Sequence, residues 1–304
     1  MAAKIVVVGS FNTDLVSYMQ RMPRPGETVH GDTFMTGAGG KGSNQAVAAA
    51  RLGADVTFIG RLGKDVFANL AYEIWDAEGI NSDYVVQDEE SATGVAPIFV
   101  DSAGENMIVV VLGANSRVQS SDIDAARERI AAADVLVVQL EINTDMVTYA
   151  LQVAKEVGIR TILNPAPAAP IPRETIQLAD YLTPNETELE SLSGGPVSDV
   201  AAAARSLMTR EEQTVVVTMG AQGAQVVSRD RTDPLPTFKV DVVDTTGAGD
   251  AFNGALAVAL AEGKSLQDAV RFANATAALC VTKAGAAGSA PHRADVDALL
   301  AASE

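Results

Sequence analysis

One stretch of the chain, from Asp244 to Leu256, carries residue types that suit chemistry on a bound anion. It reads Asp-Thr-Thr-Gly-Ala-Gly-Asp-Ala-Phe-Asn-Gly-Ala-Leu, so a loop with Gly247 and Gly249 leads directly into an apolar helical pattern. A helix N-terminus presents unpaired N–H groups and roughly half a positive charge, and it therefore holds anions. Asp250, in the first turn, can take the proton of a hydroxyl while the loop amides offset charge on a transferred phosphoryl group.

A simpler interpretation is that Asp250 only caps a buried helix, as a lone aspartate after glycine commonly does. The two glycines and the two threonines of this loop favour the phosphoryl-transfer site instead. The amides from Gly247 to Asp250, with that of Ala248 between them, are then the expected anion hole.

A second glycine-rich turn occupies Gly37-Ala38-Gly39-Gly40-Lys41-Gly42. It matches the dinucleotide fingerprint formally, but that fingerprint follows a sheet strand within a βαβ unit, and this run does not. It is not a Walker loop either, because Lys41 is followed by glycine rather than Ser or Thr. What remains is a turn that opens a helix, with Lys41 and Asn44 on the same side. A binding turn and a plain helix entry are equally compatible with these residues.

Polar side chains also follow two apolar strand patterns. Asn12 and Asp14 come after the first strand, and Glu141 comes after the strand pattern at 135–139. Asx residues more often satisfy a turn. A carboxylate directly after buried strand residues, however, fits a binding site better than an incidental surface charge.

The elements that must position these residues alternate along the chain, as is typical of βαβ units and a parallel sheet. The pattern predicts strands at 5–9, 56–60, 135–139, 161–163, 181–183 and 215–219. It predicts helices at 43–52, 66–78, 121–131, 144–157, 200–209, 250–262, 265–282 and 293–302. Sheets of this kind bind ligands at the carboxyl ends of their strands, which is where Asn12 and Glu141 lie.

Two segments, at about 13–38 and 91–111, interrupt this alternation. The second contains strand-like runs at 94–100 and 106–111, joined by the hairpin-type connection Asp101-Ser102-Ala103-Gly104-Glu105. Because no helix intervenes, we expect antiparallel strands that lie outside the main sheet. The chain, 1–304, is then expected to be one α/β domain with a small additional β-sheet inserted in it.

Composition excludes several classes of partner. The formal net charge of −17 argues against nucleic acid and repels nucleotides at long range, so a bound nucleotide must be held by local dipoles and a few cations. No apolar run approaches the roughly 20 residues that span a bilayer. The chain has one cysteine, Cys280, which excludes an internal disulfide, and two histidines far apart in sequence, which argue against a His-rich metal site.

The stretches D-T-T-G-A-G-D-A-F-N-G-A-L and G-G-K-G-S-N-Q-A resemble the two signatures of the ribokinase-like (PfkB) carbohydrate kinases. The similarity extends essentially from end to end. The segments G-E-T-V, S-A-T-G-V-A, N-P-A-P-A and T-P-N-E-T-E are most similar to those of the ribose-phosphorylating members. The resemblance implies a three-layer α/β/α fold with a mainly parallel central sheet. It also implies that the two interrupting segments form a β lid over the sugar, often paired with a second subunit's lid.

The resemblance implies roles for individual residues. Asp250 is the implied catalytic base. The implied sugar contacts are Asn12, Asp14, Gly39, Gly40, Lys41, Asn44, Glu141 and Asp250. For the nucleotide, Asn185 contacts phosphate, Glu188 orders water around Mg²⁺, and the remaining contacts are Thr218, Gly220, Ala221, Gly223, Gly249 and Asn274. The residues implied for a monovalent cation are Asp244, Thr246, Cys280, Lys283, Gly285 and Ser289.

By the same resemblance, the expected activity is ATP-dependent phosphorylation of D-ribose at O5 in a cytoplasmic homodimer, with Mg²⁺ and K⁺ as cofactors. The signature around Asp250 does not separate ribose from fructose, deoxyribose or 2-keto-3-deoxygluconate. The polar trio Asn12, Asp14 and Glu141 favours a small polyhydroxy sugar over a nucleoside, whose base would require apolar cover. A non-catalytic sugar- or nucleotide-binding regulator on the same fold is the alternative from another class, and the retained Asp250 argues against it.

Overall fold

A computed structural model describes residues 2–303. Its strands are β1 (Lys4–Val8), β2 (Asn12–Tyr18), β3 (Thr33–Gly39), β4 (Asp55–Gly63), β5 (Asn81–Asp88), β6 (Gly94–Val100), β7 (Asn106–Ile108), β8 (Val135–Val138), β9 (Arg160–Leu163), β10 (Tyr181–Leu182), β11 (Thr214–Thr218), β12 (Ala224–Val227) and β13 (Thr232–Leu235).

The α-helices are α1 (Lys41–Arg51), α2 (Val66–Ala77), α3 (Ser120–Ala125), α4 (Arg127–Ala131), α5 (Thr144–Val157), α6 (Arg173–Leu178), α7 (Glu186–Ser193), α8 (Val200–Leu207), α9 (Ala248–Ala261), α10 (Leu266–Cys280) and α11 (Arg293–Ala301). Short 3₁₀ turns lie at Gly113–Arg117, Gly220–Gln222 and Ala287–Ser289. Among the helices of residues 2–303, none has the length and apolar composition that crossing a bilayer requires.

The central sheet has the strand order β13-β12-β11-β10-β9-β8-β1-β4-β5. Neighbours from β11 to β5 pair in parallel, whereas β12 and β13 add an antiparallel edge. Side chains of β1 alternate between two cores: Ile5 and Val7 pack on the side of α1, α9 and α10, and Val6 and Val8 on the side of α5. The expected three-layer α/β/α fold is therefore confirmed.

Most elements agree with the sequence pattern, and α5 has the predicted bounds. The helix predicted over 121–131 is instead two short helices, α3 and α4, because the backbone at Ala126 (φ −97°, ψ 6°) leaves the helical geometry. The strand β5 was not predicted. Most of its residues are half-buried, so it has neither the continuous apolar run nor the alternation that identifies a strand.

A second sheet, with the order β3-β2-β6-β7, contains the two interrupting segments. Its β2–β3 and β6–β7 pairs are antiparallel, as expected. The pair that joins the segments, β2–β6, is parallel, which corrects the expectation of antiparallel strands throughout. The reason is that β1 and β5 run in the same direction in the main sheet, so the chain leaves both strands at the same edge. In the resulting register Asn12 pairs with Gly94.

A buried cluster of charges fastens the base of this second sheet to the main sheet. Arg61 on β4 contacts Asp122 (Nε–Oδ2 2.6 Å) and Asp88 at the end of β5 (Nη1–Oδ2 2.9 Å). Arg117, after β7, contacts the same Asp88 oxygen at 2.8 Å and also reaches Glu90. The segment that contains β6 and β7 is thereby held at both of its ends.

We expect Arg61→Met to lower the free energy of unfolding by about 3 kcal/mol, because it leaves Asp122 buried without its partner. Urea unfolding at pH 7 measures this value. The matched control is Lys64→Met, since Lys64 forms only an exposed pair with Glu89 and should lose at most about 1 kcal/mol. Equal losses in the two variants would contradict the role assigned to Arg61.

Candidate active site

The residues singled out in the two signatures meet at the carboxyl ends of β1, β8, β9 and β10. Two helices begin there, α1 with Lys41 and α9 with Ala248. These helices approach closely because α9 carries Gly254, where a Cβ atom would lie only 2.6 Å from the carbonyl oxygen of Gln45. The glycine in the A-F-N-G segment thus permits the two helix N-termini to share one site.

Glu141 lies at the centre of the residues expected to contact the sugar and is almost fully buried. Its Oε2 atom accepts hydrogen bonds from Ser10 Oγ (2.6 Å), the Lys41 backbone N–H (2.9 Å) and Asn12 Nδ2 (3.4 Å). One carboxylate therefore joins the end of β1, the start of β2 and the first turn of α1. Ser10 was not singled out from the sequence, because a lone serine after a strand carries no distinguishing pattern.

Asp250 is 6% exposed and is held by two amides of α1. Asn44 donates from Nδ2 to Oδ2 at 2.9 Å, and Gln45 donates from Nε2 to Oδ1 at 3.2 Å. The predicted sugar-binding helix and the predicted base are thus in direct contact, although they are far apart in sequence. Gln45 belongs to the recognised G-G-K-G-S-N-Q-A run but was not assigned a role.

The site gathers several carboxyl groups around one lysine. Burial raises the pKa of Asp14 to about 7, and the nearby charges of Glu141 and Asp250 act in the same direction. Burial alone would lower the pKa of Lys41, but the carboxylates of Asp250, Glu141 and Glu188 outweigh it and raise that pKa. Lys41 therefore stays charged, which makes it the cation that balances this acidic cluster.

The glycines of the turn before α1 lie against the two Asx residues. A Cβ atom on Gly39 would overlap the carboxylate of Asp14, and one on Gly40 would lie 2.6 Å from the backbone nitrogen of Asn12. Gly40 also has φ +87°, a conformation that favours glycine. Side chains at these two positions would push the turn away from Asn12 and Asp14.

Asn115 is a site residue that sequence reasoning missed. Its Nδ2 donates to the Phe11 carbonyl (2.8 Å) and to Asn12 Oδ1 (2.9 Å), and its Oδ1 accepts from the Phe11 N–H at 3.1 Å. It therefore fixes the amide of Asn12. Asn115 lies in an isolated 3₁₀ turn, so no periodicity or motif could have indicated it.

The residues expected at the nucleotide lie beside this cluster, at the ends of β10 and β11. Asn185 and Glu188 form a reciprocal capping box at the start of α7, and burial raises the pKa of Glu188 although the Asn185 N–H opposes this. The Thr218 N–H donates to the Pro184 carbonyl at 2.9 Å, which places Thr218 next to Asn185.

The 3₁₀ turn that follows contains Gly220 (φ +51°) and Ala221. A Cβ atom on Gly223 would overlap the backbone of residues 235–237. Asn274 uses its Nδ2 to hold the Leu235 and Pro236 carbonyls at 3.0 and 3.3 Å. These residues therefore shape the segment that leads to Asp244.

The residues expected at a monovalent cation form two contacting groups. Asp244 Oδ1 accepts from the Thr246 N–H (2.9 Å) and Oγ1 (2.7 Å), and its Oδ2 accepts from the Gly285 N–H at 2.9 Å. Burial alone would raise the pKa of Asp244, but these hydrogen bonds lower it, so the carboxylate stays charged. Cys280 Sγ lies 3.0 Å from Ser289 Oγ.

Lys283 differs from the other residues of this set because its side chain is exposed. Its backbone remains in the loop, since its N–H donates to the Cys280 carbonyl at 3.2 Å. Any contribution of Lys283 to a cation site would thus come from its backbone.

Arg51, the last residue of α1, anchors the loop behind this group and was not predicted. Its Nη1 donates to the carbonyls of Ala287, Gly288 and Ala290, at 3.2, 3.0 and 2.7 Å. Gly247 lies against the neighbouring Ala286, because a Cβ atom there would be 3.1 Å from the Ala286 Cα. The glycine loop therefore rests on a segment that α1 holds in place.

A sequence profile described as the pfkB family carbohydrate kinase matches residues 2–293, which is nearly the whole chain and includes both helix N-termini of the site. The chain belongs to the PfkB family of carbohydrate kinases. It is therefore an ATP-dependent sugar kinase. This membership agrees with the resemblance found in the two signatures.

Individual relatives cover the chain almost completely. Ribokinase of Haemophilus influenzae is 40% identical over 296 residues, which are 96% of this chain and 97% of that protein. Deoxyribokinase of Salmonella typhimurium is also 40% identical, over 94% of this chain and 95% of that one. The structure of Arabidopsis thaliana ribokinase complexed with ribose and ATP has a TM-score of 0.92 and 37% identity, and covers 99% of each chain.

The raised pKa of Asp14 has a consequence for stability. The pKa of an aspartate is near 3.9 in an unfolded chain, whereas the pKa of Asp14 in the folded protein is about 7. The protonated carboxyl therefore contributes fully to the free energy of unfolding below pH 4, and this contribution is lost as the pH rises through 7. We expect Asp14→Asn to raise the thermal midpoint by about 2–4 °C at pH 8 and by less at pH 5. Calorimetry at the two pH values measures the difference.

The matched control is Asp76→Asn, because Asp76 is exposed on α2. It should leave the midpoint nearly unchanged at both pH values. If Asp14→Asn lowered the midpoint at pH 8, or changed it equally at pH 5 and pH 8, the buried-carboxyl account of Asp14 would be wrong.

Proposed function

We propose that this protein transfers the γ-phosphoryl group of ATP to the O5 hydroxyl of D-ribose, giving D-ribose 5-phosphate. One observation carries the proposal. The buried Asp250 carboxylate is hydrogen-bonded to Asn44 of the glycine-turn helix, and it also lies in the first turn of α9, directly after the Gly247–Gly249 loop. A group in that place can touch a sugar hydroxyl on one side and a phosphoryl group on the other.

The choice of ribose is supported by the relatives. Ribokinases of Haemophilus influenzae and Mus musculus are 40% and 41% identical over nearly the whole chain. The neighbouring Arabidopsis structure is complexed with ribose and ATP. A small polyhydroxy substrate also suits the polar side chains of this cluster, namely Asn12, Asp14, Asn44 and Glu141.

The sugar site is assigned to Asn12, Asp14, Gly39, Gly40, Lys41, Asn44 and Glu141. Within residues 2–303, Asn44 Oδ1 is a buried acceptor without a hydrogen-bond partner. A buried acceptor of this kind is costly unless a donor reaches it, and a sugar hydroxyl can supply that donor. The Asp14 carboxylate, ionised above pH 7, can accept from two neighbouring hydroxyls.

In the transfer step, Asp250 accepts the proton of the O5 hydroxyl as the oxygen attacks the γ-phosphorus. The new O–P bond forms while the bond from the γ-phosphorus to the β,γ-bridging oxygen breaks, and ADP leaves with that oxygen. The amides of Gly249 and Asp250 lie in the first turn of α9, where intrahelical acceptors are lacking. They can therefore offset charge on the equatorial oxygens, so that positioning and electrostatics supply most of the rate.

The nucleotide is assigned to the adjoining face, with Asn185 and Gly249 at its phosphates and Thr218, Gly220, Ala221, Gly223 and Asn274 around its nucleoside. Glu188 lies one turn after Asn185, where it would orient water bound to Mg²⁺. Bound there, Mg²⁺ would neutralise part of the negative charge on the nucleotide phosphates.

A potassium ion fits the oxygen-rich loop formed by Asp244, Thr246, Cys280, Lys283, Gly285 and Ser289. Carboxylate and carbonyl oxygens suit this ion. The Asp244 carboxylate, which its hydrogen bonds keep ionised, supplies the negative charge. Because the loop leads directly into Gly247, a bound cation would stiffen the anion hole.

We further propose that the second sheet is a lid over the sugar within one kinase domain, and that it pairs two subunits in a cytoplasmic homodimer. Its strands and the residues that follow β7 expose large apolar side chains, namely Phe34, Met35, Met107, Ile108, Val109, Val110 and Val111. Large apolar side chains that are exposed in such number on one small sheet indicate an interaction site.

A second substrate, 2-deoxyribose, is favoured by a specific finding, since Salmonella deoxyribokinase is as similar to this chain as the Haemophilus ribokinase. Fructose and 2-keto-3-deoxygluconate are weaker alternatives. A non-catalytic regulator is disfavoured by Asp250, because a protein that only binds sugar has no use for a base at that place.

A substrate panel decides among these. We expect ADP release with MgATP to be fastest with D-ribose, whose kcat/KM should exceed that of 2-deoxyribose, fructose and 2-keto-3-deoxygluconate by at least about tenfold, because unpaired hydroxyl-binding groups reject the deoxy sugar. Potassium should stimulate turnover, and Asp244→Asn should abolish that stimulation. A different leading sugar would overturn the ribose assignment, and failure with every sugar would support the regulator.

Asp250→Asn tests the base. We expect kcat to fall by about 10²–10⁴-fold, because the amide cannot accept the proton, while the Kd for ATP measured by calorimetry changes little. The control is Asp241→Asn, an exposed aspartate in the segment before the loop, which should retain normal turnover. Near-normal kcat in Asp250→Asn would remove Asp250 from the mechanism.

A further inference from the structure

Beneath Asp250 lies a network of buried side-chain amides that none of the assigned roles uses. Gln45 is fully buried. Its Nε2 donates to Asp250 Oδ1 (3.2 Å) and to Asn164 Oδ1 (3.0 Å), and its Oε1 accepts from Gln139 Nε2 at 2.7 Å. The network thus connects the proposed base to the residues that follow β8 and β9.

The direction of these hydrogen bonds follows from the carboxylate. An ionised carboxylate only accepts hydrogen bonds, so Gln45 must turn its NH₂ group toward Asp250. Its Oε1 must then face Gln139, which in turn must present its own NH₂ group. The charge on Asp250 therefore dictates the orientation of two buried amides, and Gln45 in turn holds one oxygen of the carboxylate in place.

The same network reaches the glycine loop from the other side. Asn164 Nδ2 donates to the Thr183 carbonyl (3.1 Å), Thr183 Oγ1 donates to Asn253 Oδ1 (2.6 Å), and Asn253 Nδ2 donates to the Gly249 carbonyl (2.8 Å). Both the carboxylate of Asp250 and the backbone of the anion hole are thus fastened to one edge of the central sheet.

We propose that Gln45 is the positioning residue of the catalytic base: it aims the Asp250 carboxylate at the acceptor hydroxyl. This inference rests on the proposed role of Asp250 as base. Asp14 on β2 and Glu188 on α7 lie close enough to interact with the Asp250 charge, as does Lys41. Because neighbouring carboxylates repel Asp250, its orientation depends on the amide donors that hold it.

The test is Gln45→Met, which keeps the length of the side chain and removes both hydrogen-bonding groups. We expect kcat to fall by about 10–100-fold, as for a misplaced catalytic group, while the KM values for sugar and ATP change less than about threefold. Gln45→Glu, which places a carboxylate against that of Asp250, should lower kcat further.

The control is Gln213→Met. Gln213 is equally buried, and it bonds the Thr209 N–H and the Ile176 and Ala179 carbonyls at the opposite edge of the sheet. It should destabilise the fold and leave kcat unchanged. If Gln45→Met does not fold, Gln139→Met, which removes the donor to Gln45 Oε1, should lower kcat by a smaller factor and leave the KM values nearly unchanged.

The outcomes separate this inference from the proposed function. If the natural protein phosphorylates a sugar and both Gln45→Met and Gln139→Met retain the normal kcat, the positioning role is wrong and the proposed function stands. If the Asp250→Asn protein turns over normally, the base assignment fails and this inference fails with it. A loss of kcat in Gln213→Met equal to that in Gln45→Met would assign the effect to general destabilisation.

Discussion

The burial of the Asp250 carboxylate at the junction of α1 and α9 is the constraint on which the rest of the site depends. A carboxylate removed from water is unfavourable unless donors surround it. Here Asn44 and Gln45 supply side-chain donors, and the N-terminus of α9 supplies its dipole. These donors reach Asp250 only because Gly254 lets the two helices approach. In the proposed mechanism, the close packing of α1 on α9 is therefore required for catalysis as well as for the stability of the fold.

The acidic character of the chain sharpens this constraint. With a net charge of −17, long-range attraction cannot bring a phosphorylated nucleotide to the site. In the proposed function, binding comes from local arrangements, namely the backbone amides after Gly247 and a metal ion. The loops that carry them are fastened to rigid elements: Arg51 holds the segment behind Gly247, and Arg61 holds the base of the second sheet. The loops of the site are thus attached to helices and strands of the central core.

Much of this organisation could be predicted from the sequence, and the exceptions have physical reasons. The parallel sheet and its helices follow from continuous apolar runs and helical periodicity, which are local signals. The parallel β2–β6 pair was missed because pairing between distant segments depends on where the chain leaves the main sheet. Asn115 and Gln139 were missed because a buried amide is recognised by its partners, and these become adjacent only in the fold. The proximity of Asn44 and Asp250 could be expected from the sequence, because both residues lie in recognisable motifs.

The most direct test of the central claim is a crystal structure of the protein with D-ribose and a non-hydrolysable ATP analogue. The account predicts that the ribose O5 atom lies within about 3 Å of an Asp250 carboxylate oxygen, that the γ-phosphate faces the amides of Gly249 and Asp250, and that a ribose hydroxyl donates to Asn44 Oδ1. A sugar whose O5 atom points away from Asp250, or a γ-phosphate remote from the N-terminus of α9, would contradict it.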